Sequence, residues 1–285
     1  MQAKGTLGEE SAYYSLCYLR DLIGGTLVYW LTAGVWHVII YVIFVNEIFH
    51  KRDRPLPTWG TIVDQILLSQ FSLFIYAGLP VISEYLIENN MTMVYFYVED
   101  IGGWANYFSC LAAYLFCVEF GIYWMHRTLH TNKFLYKYIH ALHHKYNKPL
   151  TLTPWASIAF NPLDGILQAS PYVFFLLCVP VHYFTHVFLL FFSGVWATNI
   201  HDAVWGDTEP IMGAKYHTMH HTHYHVNFGQ FFIFWDWVYG TLKSPDRDLV
   251  EGKKGSSSKD LPNLPAEEKK TIDAASNKCE SLKVE

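Results

Sequence analysis

His126-Arg127-Thr128-Leu129-His130, His140-Ala141-Leu142-His143-His144 and His217-Thr218-Met219-His220-His221 are the stretches on which the reading of this chain turns. A helix advances about 100° per residue, so positions i, i+3 and i+4 share one face. Each stretch is therefore expected to present two or three imidazoles side by side, the spacing that seizes a transition metal. Eight such histidines exceed the four ligands of a tetrahedral zinc, and they suit two metals held close together. A single HxxxH is as readily ordinary helix packing. Three stretches, two of them repeating HxxHH, point to a dinuclear metalloprotein. Imidazole suits iron, copper, zinc and nickel, and nothing in the ligand types alone selects iron. Calcium and magnesium want oxygen ligands. Structural zinc is usually closed by cysteine, which is missing near all three stretches.

The rest of the composition indicates a membrane protein. Of 285 residues, 52% are hydrophobic and 18% aromatic, and only 16% are charged, against about 25% charged in soluble domains. A formal charge of -5 leaves no basic footprint for nucleic acid. The cysteines Cys17, Cys110, Cys117, Cys178 and Cys279 show no CxxC and no regular spacing, which argues against a disulfide framework and against thiolate ligands. The first residues are polar and mixed, without the pattern of a cleavable signal peptide.

Residues 24–45 form a charge-free run of membrane length, since ~20 residues cross ~30 Å of hydrocarbon. A second run, 62–82, carries Asp64, Gln65 and Gln70 near its start and Pro80 near its end. A third, 104–124, carries Glu119. The stretch 165–200 is divided by Pro180 and reads as a helical hairpin, whose first arm, 166–179, reaches only ~21 Å and is expected to be re-entrant. No Lys or Arg occurs from 55 to 126 or from 149 to 214. The positive-inside rule then puts the basic segments, and with them all three histidine stretches, in the cytosol. Residues 1–23 and the acidic connection with Glu84, Glu88, Glu99 and Asp100 face the lumen. After Tyr239 there is no aromatic residue, so 244–285 is expected to be a disordered cytosolic tail. The expected fold is an all-α integral membrane protein. It has four or five transmembrane or re-entrant helices, a membrane-embedded catalytic domain at 24–243 and a cytosolic histidine-rich helical cap.

Several stretches carry a specific resemblance: EFGIYWMHRTLH (119–130), YIHALHHKYNKP (138–149), AFNPLDGILQ (159–168), NIHD (199–202), YHTMHH (216–221), NFGQ (227–230) and WDWVYGT (235–241). Over residues 24–242 the chain resembles the fatty-acid hydroxylase superfamily, and within it most closely the sterol C-5 desaturases, or lathosterol oxidases. The histidines are shared by the whole superfamily, and the residues flanking them around 119–168 favour this branch. The resemblance implies an endoplasmic-reticulum enzyme that uses O2 and two iron ions. Electrons would come from NAD(P)H through cytochrome b5 and its reductase, and a delta-7 sterol would become a delta-5,7 sterol. Carried over residue by residue, the ligands would be His126, His130, His140, His143, His144, His217, His220 and His221, with His201 as a ninth. Some members have a further histidine where this chain has Trp205. A water, Asp202 or His225 would then complete that metal.

Metal-bound imidazoles are usually oriented through their second nitrogen. Glu119, two turns before His126 on the same helix face, is the leading candidate, set against a snorkelling carboxylate at the interface. Asp202 is open between ligand, orienting partner and loop charge. His182, His186, His37, His50 and His223 read as packing or interfacial residues. The nearest alternatives are other lipid oxidases of the superfamily: a sterol C-4 methyl oxidase, or a fatty-acid or sphingolipid hydroxylase. A metal transporter is the alternative from another class, but it should carry its ligands inside the spans.

Overall fold

The computed structural model describes residues 7–52, 55–146, 151–201 and 208–244. The expected tail lies outside them apart from Ser244, as do Asp202 and Trp205. Among the described residues ten α-helices follow in order. They are α1 (Leu7–Val38), α2 (Val45–Ile48), α3 (Trp59–Tyr76), α4 (Gly78–Glu88), α5 (Trp104–Thr131), α6 (Lys133–Leu135), α7 (Pro162–Phe174), α8 (Tyr183–Ile200), α9 (Ala214–His223) and α10 (Phe234–Val238). Two short strands, β1 (Val94–Tyr95) and β2 (Val181–His182), complete the list. Four helical stretches are long and apolar enough to cross a membrane: Leu7–Ile43, Trp59–Glu88, Trp104–Thr131 and Tyr183–Ile200. The chain is a multi-pass, all-α membrane protein.

The expected boundary after residue 23 is not a break. No proline interrupts residues 7–23, Glu9 and Glu10 complement the positive end of the helix, and α1 runs unbroken into the apolar span. The second span is α3 and α4 joined at Ala77, with Pro80 in the first turn of α4, where its missing N–H costs nothing. The third continues past residue 124 to Thr131, so His126 and His130 ride on the end of a spanning helix.

The hairpin arm starts at Pro162, earlier than expected. Asn161 accepts a hydrogen bond from the Leu163 N–H at 3.0 Å, and Pro162 occupies the first helical position, a strong start signal. Its far end is tied to the connection after α4. The Met93 N–H donates to Leu176 O at 2.7 Å, and β1 pairs with β2 in parallel, Val94 opposite Val181. That connection also starts α5, whose histidines lie about 33 Å further along the helix. Both arms of the hairpin therefore run the depth of the bundle.

Irregular backbone survives near hydrocarbon only where its polar groups are satisfied by protein. Here α3 supplies them to the segment 151–160. Gln65 Nε2 donates to Thr151 O at 2.5 Å, and Ser69 donates to Trp155 O at 3.0 Å. Thr153 donates to Gln65 Oε1, and Ser72 donates to Phe160 O. Tyr29 of α1 also donates to Trp155 O, at 2.9 Å. Gln65, one of the polar residues that weaken the second hydropathy run, thus joins Ser69 and Ser72 on the face that holds this segment, while Asp64 bonds Lys145 and Tyr146 and Gln70 takes the Trp30 indole N–H.

The main core joins α4, α5, α7 and α8 through Leu79, Tyr114, Val118, Ile122, Tyr172 and Leu189. At its tightest point α7 crosses Gly121 of α5. A Cβ there would stand 2.7 Å from Pro171 Cβ and 2.9 Å from its Cγ, so only glycine lets the helices approach. Gly121→Leu is expected to cost about 1–3 kcal/mol, read as a lower thermal midpoint in detergent. Gly78→Ala, where an added Cβ meets nothing within 4 Å, should leave the midpoint in place. Equal midpoints for both variants would contradict this packing.

Candidate metal centre

Nine buried histidines converge at the end of α5 in two groups, His126, His130, His140, His144 and His220 in one and His143, His201, His217 and His221 in the other. Within each group one nitrogen per ring lies within 4.8 Å of all the others. The division follows helical phase. On a helix i and i+4 differ by about 40°, whereas i+3 and i+4 differ by about 100°. On α9, His217 and His221 accordingly join one group and His220 the other. The second stretch is not one helix, contrary to expectation, but a π-helical turn (Tyr136–His140) followed by a 3-10 turn (His143–Tyr146). It divides in the same way, with His140 and His144 together and His143 apart. Each HxxHH thus serves both groups, which adjoin: the rings of His144 and His221 are 4.5 Å apart.

The spacing of the nitrogens constrains what they hold. Nε2 of His130 lies 2.8 Å from Nε2 of His140 and 3.1 Å from those of His144 and His220. In the second group Nε2 of His217 is 3.1 Å from those of His201 and His221. Two ligands about 2.1 Å from one metal stand roughly 3.0 Å apart at a right angle and roughly 3.4 Å apart at the tetrahedral angle. These contacts fall in the range that ligands of a single ion occupy.

Four rings have their proton placed by a neighbour that can only accept one. Nδ1 of His126 donates to Phe228 O at 3.0 Å, Nδ1 of His220 to Val226 O at 2.8 Å and Nδ1 of His201 to Ala197 O at 2.6 Å. Nδ1 of His140 meets the carboxylate of Asp164 at 2.7 Å, with both side chains fully buried. In each ring Nε2 is left bare. That of His126 is buried without any hydrogen-bond partner among the described residues. Burial holds His201 down to about 4 and keeps His143, His144, His217, His220 and His221 well below the usual imidazole range. These imidazoles are neutral at physiological pH, the form that binds metal.

Glu119 does not play the expected part. Its carboxylate accepts the Phe231 N–H at 3.0 and 3.2 Å and the Phe232 N–H at 3.3 Å, two turns from His126. It fastens the loop whose carbonyls orient His126 and His220. Asp236 fastens the same loop, accepting the Phe228 and Gly229 N–H groups at 2.8 Å each. Asp164 and Asp236 were not singled out from the sequence. Asp164 lies 24 positions from His140, so no local spacing reveals the pair. Of the other histidines, His186 bonds Tyr114 at 3.1 Å and His182 donates to Phe96 O at 2.9 Å. His37, which takes the Trp155 indole N–H at 3.3 Å, and exposed His225 also belong to neither group.

A cavity opens from the histidines into the bundle. His126, His143, His201 and His217 form one end, and Leu73, Ile122, Phe160, Leu190 and Phe191 are among its apolar walls. An oxidising metal pair at the head of an apolar cavity can act on an apolar, membrane-borne substrate.

Comparison with known proteins agrees with this geometry. The family model described as fatty acid hydroxylase matches residues 111–241, which hold all nine histidines. A Delta(7)-sterol-C5(6)-desaturase of Nicotiana tabacum is 46% identical over 228 residues, covering 80% of this chain and 83% of the relative. A lathosterol oxidase of Rattus norvegicus is 34% identical, covering 73% and 69%. A Delta(7)-sterol 5(6)-desaturase of Eremothecium gossypii is 31% identical, covering 82% and 64%. No solved structure matches the chain significantly. With its histidines gathered from α5, the turns after α6, the end of α8 and α9, and with relatives this similar along most of its length, the chain belongs to the fatty acid hydroxylase family, among the sterol C5(6)-desaturases.

Proposed function

We propose that this protein introduces the C-5 double bond into delta-7 sterols, using O2 and two iron ions held by the nine histidines. The observation that carries the reading is the pair of buried imidazole groups, each with its ring nitrogens turned together, lining an apolar cavity. The relatives named as sterol desaturases support the substrate class. Five imidazoles in one group exceed the four ligands of tetrahedral zinc. Bound iron would supply O2-dependent oxidation, which no side chain provides.

The chain's own residues do the rest. His126, His130, His140, His144 and His220 hold one metal, and His143, His201, His217 and His221 the other. Asp164 and the carbonyls of Val226, Phe228 and Ala197 keep four rings turned with Nε2 inward. The apolar walls admit a sterol and exclude water, so the oxidant is spent on the bound substrate. In the overall reaction two hydrogens leave the substrate, a donor supplies two electrons, two protons are taken up from solvent, and O2 is reduced to two waters. Cytochrome b5 with its NAD(P)H-dependent reductase is the proposed donor. Basic residues absent from 55–126 and 149–214 support a cytosolic site and C-terminus in the endoplasmic-reticulum membrane.

Expression in cells lacking their own sterol C-5 desaturase should convert accumulated delta-7 sterol to delta-5,7 sterol, identified by mass. Oxidation at the C-4 methyl group, or of ceramide instead, would contradict the reading in favour of another branch. Asp164→Asn keeps the shape but replaces the carboxylate beside His140 with an amide. Without the carboxylate that bonds His140 Nδ1, the variant should weaken iron binding by about 10- to 100-fold, read as metal content after dialysis of a protein with unchanged helicity. Full metal retention would rule out the orienting role of Asp164.

A further inference from the structure

The connection from α4 to α5 carries a motif that the metal centre does not use. Asn90-Met91-Thr92 is the one Asn-x-Ser/Thr triplet in the 285 residues, and its middle residue is not proline. Such a triplet is the acceptor for N-linked sugar on the lumenal side of the endoplasmic reticulum. It arises readily by chance, so its place in the fold decides whether it can be used.

The asparagine sits where α4 stops. Asn90 has a left-handed φ of 55°. Its N–H donates to Ile87 O at 3.0 Å, and the Met91 N–H donates to Leu86 O at 2.9 Å. That helix ending usually takes glycine, with asparagine as the next choice. Capping accounts for an asparagine at 90 but not for a threonine two residues on. Among the described residues the Thr92 hydroxyl makes only a long contact, 3.4 Å from the Val94 N–H. Asn90 and Met91 are both exposed. The Asn89 carboxamide is tied to Tyr85 O at 2.8 Å, whereas that of Asn90 bonds none of the described residues.

Sugar transfer also needs the asparagine clear of the bilayer. The stretch Leu7–Ile43 has 37 residues, about 55 Å of helix against ~30 Å of hydrocarbon, so one end projects. The charge-free run begins at Gly24, which makes the start of α1 the projecting end. There α1 and α4 run antiparallel as polar partners. Arg20 donates to Glu84 at 2.7 Å, and Tyr14 donates to Glu88 at 3.1 Å. Tyr14 is about 15 Å beyond Gly24 along the helix, and Asn90 lies two residues after Glu88. The triplet therefore stands outside the hydrocarbon, at the end of the bundle away from the histidines.

We propose that Asn90 is an N-glycosylation site. The proposal rests on the orientation read above, with the histidines cytosolic and the connection from α4 to α5 lumenal. The transfer is a substitution without change of oxidation state. The bond between C1 of the first sugar and the pyrophosphate of a lipid-linked oligosaccharide breaks, and a bond from C1 to Asn90 Nδ2 forms. Nδ2 gives up one proton, and the lipid pyrophosphate leaves.

The full-length protein, expressed in eukaryotic cells and recovered in microsomes, should carry a heavier form. An amidase that removes sugar from asparagine should return it to the unmodified mobility and leave aspartate at that position, read by mass. Asn90→Gly, which suits the left-handed helix ending, should lack the heavier form, as should Thr92→Val. Thr92→Ser should keep it. A heavier form that survives in Asn90→Gly would overturn the proposal. Orientation is reported separately by added Asn-x-Thr acceptors, one ahead of Met1 and one after Glu285. Sugar on the acceptor ahead of Met1 with none on Asn90 overturns the proposal and leaves the orientation standing. Sugar only on the acceptor after Glu285 overturns the orientation, and the proposal with it.

Discussion

A bare imidazole nitrogen turned toward several others, out of reach of water, is unfavourable unless a positive ion sits among them. Nine rings here are in that position. Burial keeps His143, His144, His201, His217, His220 and His221 well below the usual imidazole range, so these rings do not relieve the crowding by protonation near neutral pH. The architecture around them can be understood as what it takes to hold these lone pairs inward. Rings from α5, α9, the end of α8 and the turns after α6 must meet at one place. That requires loops to be as rigid as helices.

The rigidity comes from carboxylates and amides rather than from apolar packing alone. Glu119 and Asp236 grip the backbone N–H groups of residues 228–232, so that the carbonyls of Val226 and Phe228 stand where His220 and His126 need them. Asn227, with a left-handed φ of 57°, reaches Tyr216 O at 3.1 Å and Lys243 O at 2.9 Å and ties α9 to the same loop. On the opposite wall, Gln65, Ser69 and Ser72 of α3 fix residues 151–160, which bring Ser157 to the cavity. A glycine at 121 lets α7 close the bundle. Function depends on buried polar side chains that a hydropathy profile counts against the spans.

Much of this was legible in the residues. Apolar runs gave three crossings and the hairpin, whose second arm is the fourth, and charge placement put the histidine stretches at one end of the bundle. The family motifs drew His201 into the set, and the structure seats it in the second group. What local spacing does not convey is partnership across the fold. The pairing of His140 with Asp164, and of Glu119 with a loop more than a hundred residues on, depends on tertiary crossing. Periodicity also stopped short in one respect. A shared helical face leaves open which metal each imidazole serves, and the 100° step between neighbours hands His143 and His220 to the other group from the rest of their stretch. The segment start at Pro162 had a cap signal in Asn161 that the hydropathy boundary overlooked.

Anomalous scattering at the iron edge from crystals of the iron-loaded protein tests the central claim most directly. Two peaks are predicted, one enclosed by Nε2 atoms of His126, His130, His140, His144 and His220, the other by those of His143, His201, His217 and His221. A single peak, or two peaks bound by histidines divided in any other way, would contradict the account.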